Sequence, residues 1–236
     1  MNKVILIGAG ASICEGLSKG LWDKIQSHEK WSLNSAFRTM PYLPNKQLWV
    51  DIDFLDHNLT ELQKLHSQGV HLITKTFQNH RKYAFLEYAK IITQYDTTRE
   101  QNKYYGKDAI KKNMIYYGRM GLCGMFALAI AIAMEYKNIY LLGYDCGVTD
   151  IKNKFTHYYQ NDIARLGIHS GGAGRPSVYM LEENQIRVEL EDFKIYIQDH
   201  ESNIWNVSLQ SNINFFPKLS YEEFFKKLGE NDTTNT

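Results

Sequence analysis

The chain has 236 residues, of which 44% are hydrophobic, so it can bury one sizeable core but hardly two. Its 27 basic and 26 acidic side chains leave a net charge of +1, which excludes a general electrostatic attraction to nucleic acid or to a membrane surface. Cys14, Cys123 and Cys146 are far apart and form no C-x-x-C pair, which argues against a disulfide framework and a cysteine-based zinc site.

The first predicted unit is a strand, a glycine turn and a helix. The continuous apolar run at residues 4–7, VILI, predicts a parallel strand buried on both faces. Ser12 and Glu15 have the spacing of a capping box, so Ser12 is predicted to cap the next helix through its side chain. An apolar residue at every fourth position then predicts one continuous helix with a buried stripe, formed by Ile13, Leu17, Leu21 and Ile25.

The alternation of strands and helices continues along the chain. Further strands are predicted at residues 31–34, 48–52, 70–73, 138–143, 193–197 and 204–207, and helices at 58–67, 83–92, 121–136 and from Ser220 onward. This alternation predicts a Rossmann-like α/β fold, a doubly wound and mainly parallel sheet, in a single domain over residues 1–228. Residues 75–118 are predicted to be an insertion, 147–178 a flap or lid, and 229–236 a disordered tail.

No segment has the pattern of an export signal or a membrane span. The apolar run at residues 4–7 is shorter than a signal-peptide core, and the longest uncharged apolar run, residues 125–134, is shorter than a bilayer span. These patterns favour a cytoplasmic protein. The sequence does not decide whether the protein forms a homo-oligomer.

The turn at residues 8–12, GAGAS, lies where a doubly wound sheet binds ligands, at the carboxyl end of its first strand. Gly8 and Gly10 would let a phosphate or a ribose approach the backbone. The dinucleotide fingerprint is incomplete, because Ile13 stands where a glycine or alanine is required and Asn34 where an acidic residue is required. The pattern therefore argues against NAD, and a tight turn without a ligand is the simpler alternative.

Several of these motifs together resemble the bacterial lipooligosaccharide sialyltransferases. They are GAGAS at residues 8–12, Asn34 after the second strand, Arg119 before a Gly- and Ala-rich helix, and YKNIYLLGYD at residues 136–145. The same motifs resemble uncharacterised phage and bacterial relatives of that family and the archaeal hydroxymethyldihydropterin diphosphokinases, which share its fold. The resemblance covers residues 1–60 and 115–216, including IWNVSLQSNINFF near the end.

The resemblance implies an inverting glycosyltransferase with a nucleotide-activated donor, usually CMP-sialic acid, and a glycan or another hydroxyl compound as acceptor. It implies a histidine general base and no obligatory metal. Two positions depart from the family, in which asparagines stand at the positions of Ala9 and Asp53. The predicted nucleotide-binding residues combine those that the resemblance implies with those at the other strand ends of the same crevice. They are Gly8, Ala9, Gly10, Ala11, Ser12, Asn34, Asp53, Gly143 and Asp145.

The predicted catalytic residues lie in and before the flap. A histidine suits the role of general base because its pKa lies near the working pH, and His157 and His169 are the histidines of the flap. Tyr158 would donate a hydrogen bond to the leaving phosphate, and Arg119 would bind a carboxylate or phosphate through two hydrogen bonds. Each has a plain structural alternative: a solvated loop histidine, a ring that packs the flap, or a surface arginine.

Two alternative functions follow from other features. Asp51 and Asp53 form an Asp-x-Asp at the end of the predicted third strand, where residues two apart share a face and would meet one divalent ion, as in glycosyltransferases that hold such an ion on a donor diphosphate. In the alternative of a pterin-type diphosphokinase, Asp51, Asp53 or Asp145 would hold Mg²⁺ and ATP would replace the sugar nucleotide. A non-catalytic nucleotide-binding protein of the same fold is the third interpretation. The basic and aromatic run at residues 103–119 is more typical of a solvated helix face than of a nucleic-acid site.

Overall fold

A six-stranded parallel sheet organises the described part of the chain. The computed structural model describes residues 2–50, 52–74, 123–145, 201–211 and 213–230. Within these ranges the strands are β1 (Lys3–Ile7), β2 (Lys30–Leu33), β3 (Lys46–Trp49), β4 (His71–Thr74), β5 (Asn138–Leu142) and β6 (Asn203–Asn206). Their order in the sheet is β4-β3-β2-β1-β5-β6, and all five pairings are parallel. The predicted Rossmann-like α/β fold is confirmed.

Helices cover both faces of this sheet. They are α1 (Ile13–Ser18), α2 (Leu21–Ile25), α3 (Ile52–Ser67), α4 (Cys123–Ala133) and α5 (Tyr221–Gly229), with a short 3-10 helix at Asn34–Thr39. Successive β1 side chains point to opposite faces, so Val4 and Leu6 join the core formed with α4, whereas Ile5 and Ile7 join the core formed with α1, α2 and α5. The continuous apolar run of β1 is therefore buried on both sides, as predicted.

The strand order places a topological switch point between β1 and β5. The chain runs from β1 to β2, β3 and β4 on one side, and β5 then pairs with the other side of β1, with Ile7 opposite Leu142. In sheets of this kind the connections leave β1 and β5 toward opposite faces, which opens a crevice at their carboxyl ends where ligands bind. The glycine turn at residues 8–12 follows β1 at this edge.

The prediction of one continuous, side-chain-capped helix after the turn is wrong. Gly20 has a φ of 75° in the left-handed region, and it separates two short helices, α1 and α2. Leu17 is 38% exposed rather than part of a buried stripe. Ser12 makes no side-chain capping bond because its backbone is already helical, whereas a capping residue needs an extended conformation to turn its oxygen back onto the helix.

The predicted bounds of two strands and one helix are also corrected. The second strand ends at Leu33, one residue before Asn34, and β3 ends at Trp49. The predicted helix at 58–67 forms the second part of α3, which already begins at Ile52 and has a kink at Asn58, so Asp53 lies in the first turn of a helix and not at a strand end. Asp53 is therefore not on the predicted strand, and Asp51 lies outside the described residues.

Several predictions fall outside the described residues. These are the insertion at residues 75–118, the flap at 147–178, the helix at 83–92, the strand at 193–197 and most of the tail. Among the helices that the structure describes, none combines the length and the apolar character that crossing a membrane would require.

Candidate functional site

The glycine turn packs directly against the end of β5. The Gly8 N–H donates to the carbonyl oxygen of Leu142 at 2.8 Å, and the Gly10 N–H donates to that of Gly143 at 2.9 Å. A Cβ at Gly8 would lie 2.8 Å from the Gly143 oxygen, and one at Gly10 would lie 2.5 Å from Asp145 Oδ2. Gly143 itself has a φ of 67°, which favours glycine. Three glycines are therefore required for this close approach.

The carboxylate of Asp145 closes the turn. Its Oδ2 accepts a hydrogen bond from the backbone N–H of Ser12 at 2.8 Å. Its Oδ1 is buried and has no hydrogen-bond partner among the described residues, and the same holds for the Ser12 Oγ. A buried polar atom without a partner carries a free-energy cost that a partner would relieve. Both oxygens are therefore suited to meet a ligand.

Asn34 lies at the carboxyl end of β2, the strand next to β1. Its φ is 49°, a left-handed conformation that asparagine tolerates better than most residues. The buried Gln47 side chain holds this conformation, because its Nε2 donates to the Asn34 carbonyl oxygen at 2.8 Å. The Asn34 Oδ1 is buried and meets no hydrogen-bond partner in the part of the chain that the structure describes, and the same is true of the Oγ of the neighbouring Ser35. These atoms extend the set of unpartnered polar groups from β5 and β1 to β2.

The unpartnered atoms indicate the chemistry that the crevice can bind. Asp145 Oδ1 and Asn34 Oδ1 are hydrogen-bond acceptors, and Ser12 Oγ can accept or donate. Ribose hydroxyls and a base amino group supply donors, whereas a phosphate brings only acceptors and negative charge. The backbone N–H of Ser12, which would otherwise suit a phosphate, already donates to Asp145 Oδ2. The unpartnered atoms therefore match a ligand that supplies hydrogen-bond donors better than they match a phosphate.

The structure brings together part of the predicted site. Gly8, Gly10, Ser12, Gly143 and Asp145 are in direct contact or linked by hydrogen bonds. Ala9 and Ala11 belong to the same turn, Asn34 follows the adjacent strand, and Asp53 lies in α3. Arg119, His157, Tyr158, His169 and Asp51 lie outside the described residues. Where the chain is described, no group of three or more His, Cys, Asp or Glu side chains is placed to hold a metal ion.

Sequence reasoning missed a polar cluster on the other side of β5. The side chains of Asn206 and Ser211 are buried and bind the carbonyl oxygen of Tyr144, at 3.1 Å from Asn206 Nδ2 and 2.8 Å from Ser211 Oγ. Gln47, which holds Asn34, was missed in the same way. The available signal was a polar residue within an otherwise buried apolar segment, which calls for a hydrogen-bond partner.

Comparison with known proteins gives a remote likeness of fold. The sequence matches no protein-family model and no curated protein. The structure is similar to that of the sialyltransferase CstII from Campylobacter jejuni, which was solved in complex with a substrate analogue, cytidine-5'-monophosphate. The likeness covers 92% of this chain and 84% of that chain, with a TM-score of 0.46 and 15% sequence identity.

Proposed function

We propose that this chain binds a nucleotide in the crevice at the carboxyl ends of β2, β1 and β5 and uses a nucleotide-activated sugar as donor in a glycosyl transfer. The observation that carries the nucleotide site is the set of buried polar atoms beside the glycine turn that have no partner in the described part of the chain: Asp145 Oδ1, Ser12 Oγ and Asn34 Oδ1. The step from nucleotide binding to glycosyl transfer is supported by the sialyltransferase-like motifs of the sequence.

The nucleoside is proposed to bind at the glycine turn. Its ribose hydroxyls or base amino group would donate to Asp145 Oδ1 and Asn34 Oδ1, which are buried acceptors with no partner among the described residues. The absence of a Cβ at Gly8 and Gly10 lets the turn lie close to β5, which brings the Asp145 carboxylate to the backbone of Ser12. The phosphate would lie away from the Asp145 carboxylate because like charges repel. We propose that Arg119 and Tyr158 bind this phosphate.

The proposed reaction is a single displacement with inversion. The acceptor hydroxyl oxygen forms a bond to the anomeric carbon while the bond from that carbon to the nucleotide phosphate oxygen breaks. The nucleotide leaves with the electron pair of that bond, and the hydroxyl proton passes to a histidine acting as general base. His157 and His169 are the candidates for this base.

A thermal-shift screen tests nucleotide binding. The purified protein is heated with CMP, CMP-sialic acid, UDP- and GDP-sugars, ATP and GTP, each with and without magnesium. A ligand at a hundred times its Kd adds about 2.7 kcal/mol to the free energy of unfolding. We expect a shift with CMP compounds that does not depend on magnesium. A shift with ATP and magnesium alone would favour the diphosphokinase, and no shift with any nucleotide would refute the proposal.

The variant Asp145→Asn ties that shift to the site. Asparagine retains an oxygen that can accept from the Ser12 N–H, but it replaces the second acceptor oxygen with a donor. We therefore expect Asp145→Asn to lose the CMP shift while the ligand-free protein keeps its Tm within a few degrees. Asp23→Asn, an exposed carboxylate on α2, is the matched control and keeps the shift. An unchanged CMP shift in Asp145→Asn would mean that the nucleotide does not bind at Asp145.

Turnover separates a transferase from a protein that only binds nucleotides. Release of CMP from CMP-sialic acid, measured with and without candidate acceptors, is expected in the wild type. Substituting the general base with alanine is expected to reduce the rate by about 100-fold or more. CMP binding without release, unchanged in His157→Ala and His169→Ala, would support the non-catalytic interpretation.

A further inference from the structure

The end of β5 is held from both sides. On the β1 side, the carbonyl oxygens of Leu142 and Gly143 accept from the N–H groups of the glycine turn. On the β6 side, the Leu141 carbonyl oxygen accepts from the Val207 N–H at 2.8 Å. The next carbonyl oxygen on that side, at Tyr144, is bound by the side chains of Asn206 and Ser211 and not by backbone. At Tyr144, the residue just before Asp145, side-chain hydrogen bonds therefore replace the backbone hydrogen bonds of the sheet.

Ser211 is the centre of this side-chain arrangement. Its hydroxyl donates to the Tyr144 carbonyl oxygen at 2.8 Å and lies 3.3 Å from that of Asp145. It accepts from Asn206 Nδ2 at 2.9 Å and from the Ile213 N–H at 3.0 Å. A hydroxyl has one proton and two lone pairs, so every hydrogen-bonding capacity of Ser211 Oγ is used. Because the side chain is buried, no water replaces these bonds if the hydroxyl is removed.

Ser211 is itself fixed in place. The Lys218 ammonium donates to the Ser211 carbonyl oxygen at 2.6 Å. Asn206, the partner of the hydroxyl, donates from its backbone N–H to Pro217 at 3.0 Å and accepts from the Leu219 N–H at 2.9 Å. The segment after β6 therefore forms a firm support for the backbone at Tyr144 and Asp145.

We propose that Ser211 is a positioning residue for Asp145, an inference that rests on the proposed function. By holding the carbonyl oxygen of Tyr144, the Ser211 hydroxyl sets the backbone from which the Asp145 carboxylate reaches the glycine turn. Asp145 Oδ2 is then held 2.8 Å from the Ser12 N–H. The other oxygen, Oδ1, is thereby presented to the nucleoside. Ser211 makes no contact with the ligand in this arrangement and acts through Asp145.

Amide hydrogen exchange in the ligand-free protein tests this positioning. In Ser211→Ala, the Ser12 N–H is expected to exchange about fivefold faster, the ratio that corresponds to losing one ordinary hydrogen bond. The Leu6 N–H, in the middle of β1, reports any general loss of stability and is expected to change far less. Equal acceleration at Ser12 and Leu6, or none at Ser12, would overturn the proposal.

A matched control variant and a double variant test whether the effect on Ser12 exchange passes through Asp145. Ser208→Ala removes a hydroxyl from a buried serine of the same segment whose Oγ has no partner within the described ranges, so it is the matched control and is expected to leave Ser12 exchange unchanged. In an Asp145→Ala background, adding Ser211→Ala is expected to leave Ser12 exchange unchanged, because the bond that Ser211 positions is already gone. A further acceleration in the double variant would overturn the proposal. If Ser211→Ala does not fold, Ser211→Cys, which weakens the same bonds at nearly the same shape, takes its place.

CMP binding distinguishes this proposal from the proposed function. If the wild type binds CMP, the Kd is expected to rise about fivefold in Ser211→Ala and to stay unchanged in Ser208→Ala. An unchanged Kd in Ser211→Ala would overturn the positioning role. If the wild type binds none of the nucleotides in the thermal-shift screen, the proposed function fails, and the exchange data alone decide whether Ser211 positions Asp145.

Discussion

At the scale of single residues, Gly10 is constrained by its neighbours more than by its own backbone. The sequence pattern explained this glycine by the approach of a ligand. The structure adds a requirement that holds with no ligand bound, because a Cβ would lie 2.5 Å from Asp145 Oδ2 and 2.7 Å from the Gly143 carbonyl oxygen. The Asp145 side chain can move, but the Gly143 backbone is held by its own hydrogen bond to Gly10.

The variant Gly10→Ala tests this constraint. Overpacking of this kind costs about 1–3 kcal/mol, so we expect the free energy of unfolding, measured by chemical denaturation, to fall by that amount. CMP binding is expected to be lost as well, because the turn must move away from β5. Gly229→Ala is the control, since a Cβ there meets no described atom within 4 Å apart from its chain neighbours and the backbone of its own helix. Equal stability of the two variants would mean that the turn shifts without cost.

At the scale of elements, two Ser-x-x-Glu segments with the same local pattern behave differently. Ser220 and Glu223 form the full capping box at the start of α5, with Ser220 Oγ accepting from the Glu223 N–H and Glu223 Oε2 accepting from the Ser220 N–H. Ser12 and Glu15 do not, because the Ser12 N–H is bound by Asp145 and its backbone is helical. A long-range contact therefore replaces the local cap at α1.

The two serines are predicted to differ in their contribution to stability. Ser220→Ala removes a cap and is expected to lower the free energy of unfolding by about 1 kcal/mol. Ser12→Ala removes a buried hydroxyl that none of the described residues binds, so it is expected to cost much less or to stabilise the ligand-free protein. Thermal and chemical denaturation of both variants measure the difference. A larger loss in Ser12→Ala would indicate a side-chain cap after all.

At the scale of the whole molecule, a partly buried charge links strands at the end of the sheet opposite the crevice. Glu29 Oε1 accepts from Trp31 Nε1 at 2.8 Å, from Lys46 Nζ at 2.6 Å and from the Tyr136 hydroxyl at 3.2 Å. Burial alone raises the pKa of Glu29, but the hydrogen bonds from Lys46, Trp31 and Tyr136 outweigh burial and hold that pKa below its usual 4.5. Ionised Glu29 therefore stabilises the folded state.

This linkage predicts the pH dependence of stability. As the pH falls below about 4.5, the unfolded chain protonates Glu29 before the folded protein does, so the free energy of unfolding decreases. Glu29→Gln is expected to have a lower free energy of unfolding than the wild type at pH 7. Its free energy of unfolding is also expected to decrease less steeply between about pH 5 and about pH 3, the range around the ordinary carboxyl pKa. Glu201→Gln, an exposed partner of Lys137, is the control and keeps the wild-type slope. Identical slopes in all three proteins would show that Glu29 is not the group responsible.

The sequence by itself determined the elements whose cause is local. The apolar run of β1, the helix of α4 that is apolar all round, and the alternation of strands with helices follow from burial on two faces, which leaves its pattern in the residues concerned. The glycine turn and the acidic residue after β5 were found in the same way. Their convergence on one edge followed from the rule that parallel strands align their carboxyl ends.

Only the tertiary structure decided which of several local preferences is satisfied. Asp145 binds the backbone of Ser12 although 133 positions separate them, and this bond replaces the predicted cap. Ser211 supports Tyr144 across 67 positions, and no periodicity signals that contact. Local pattern reports burial and backbone preference, but the partner of a buried polar group depends on which distant segment the fold brings beside it. For this reason the sheet was predictable from the sequence, whereas the hydrogen bonds that shape the candidate site were not.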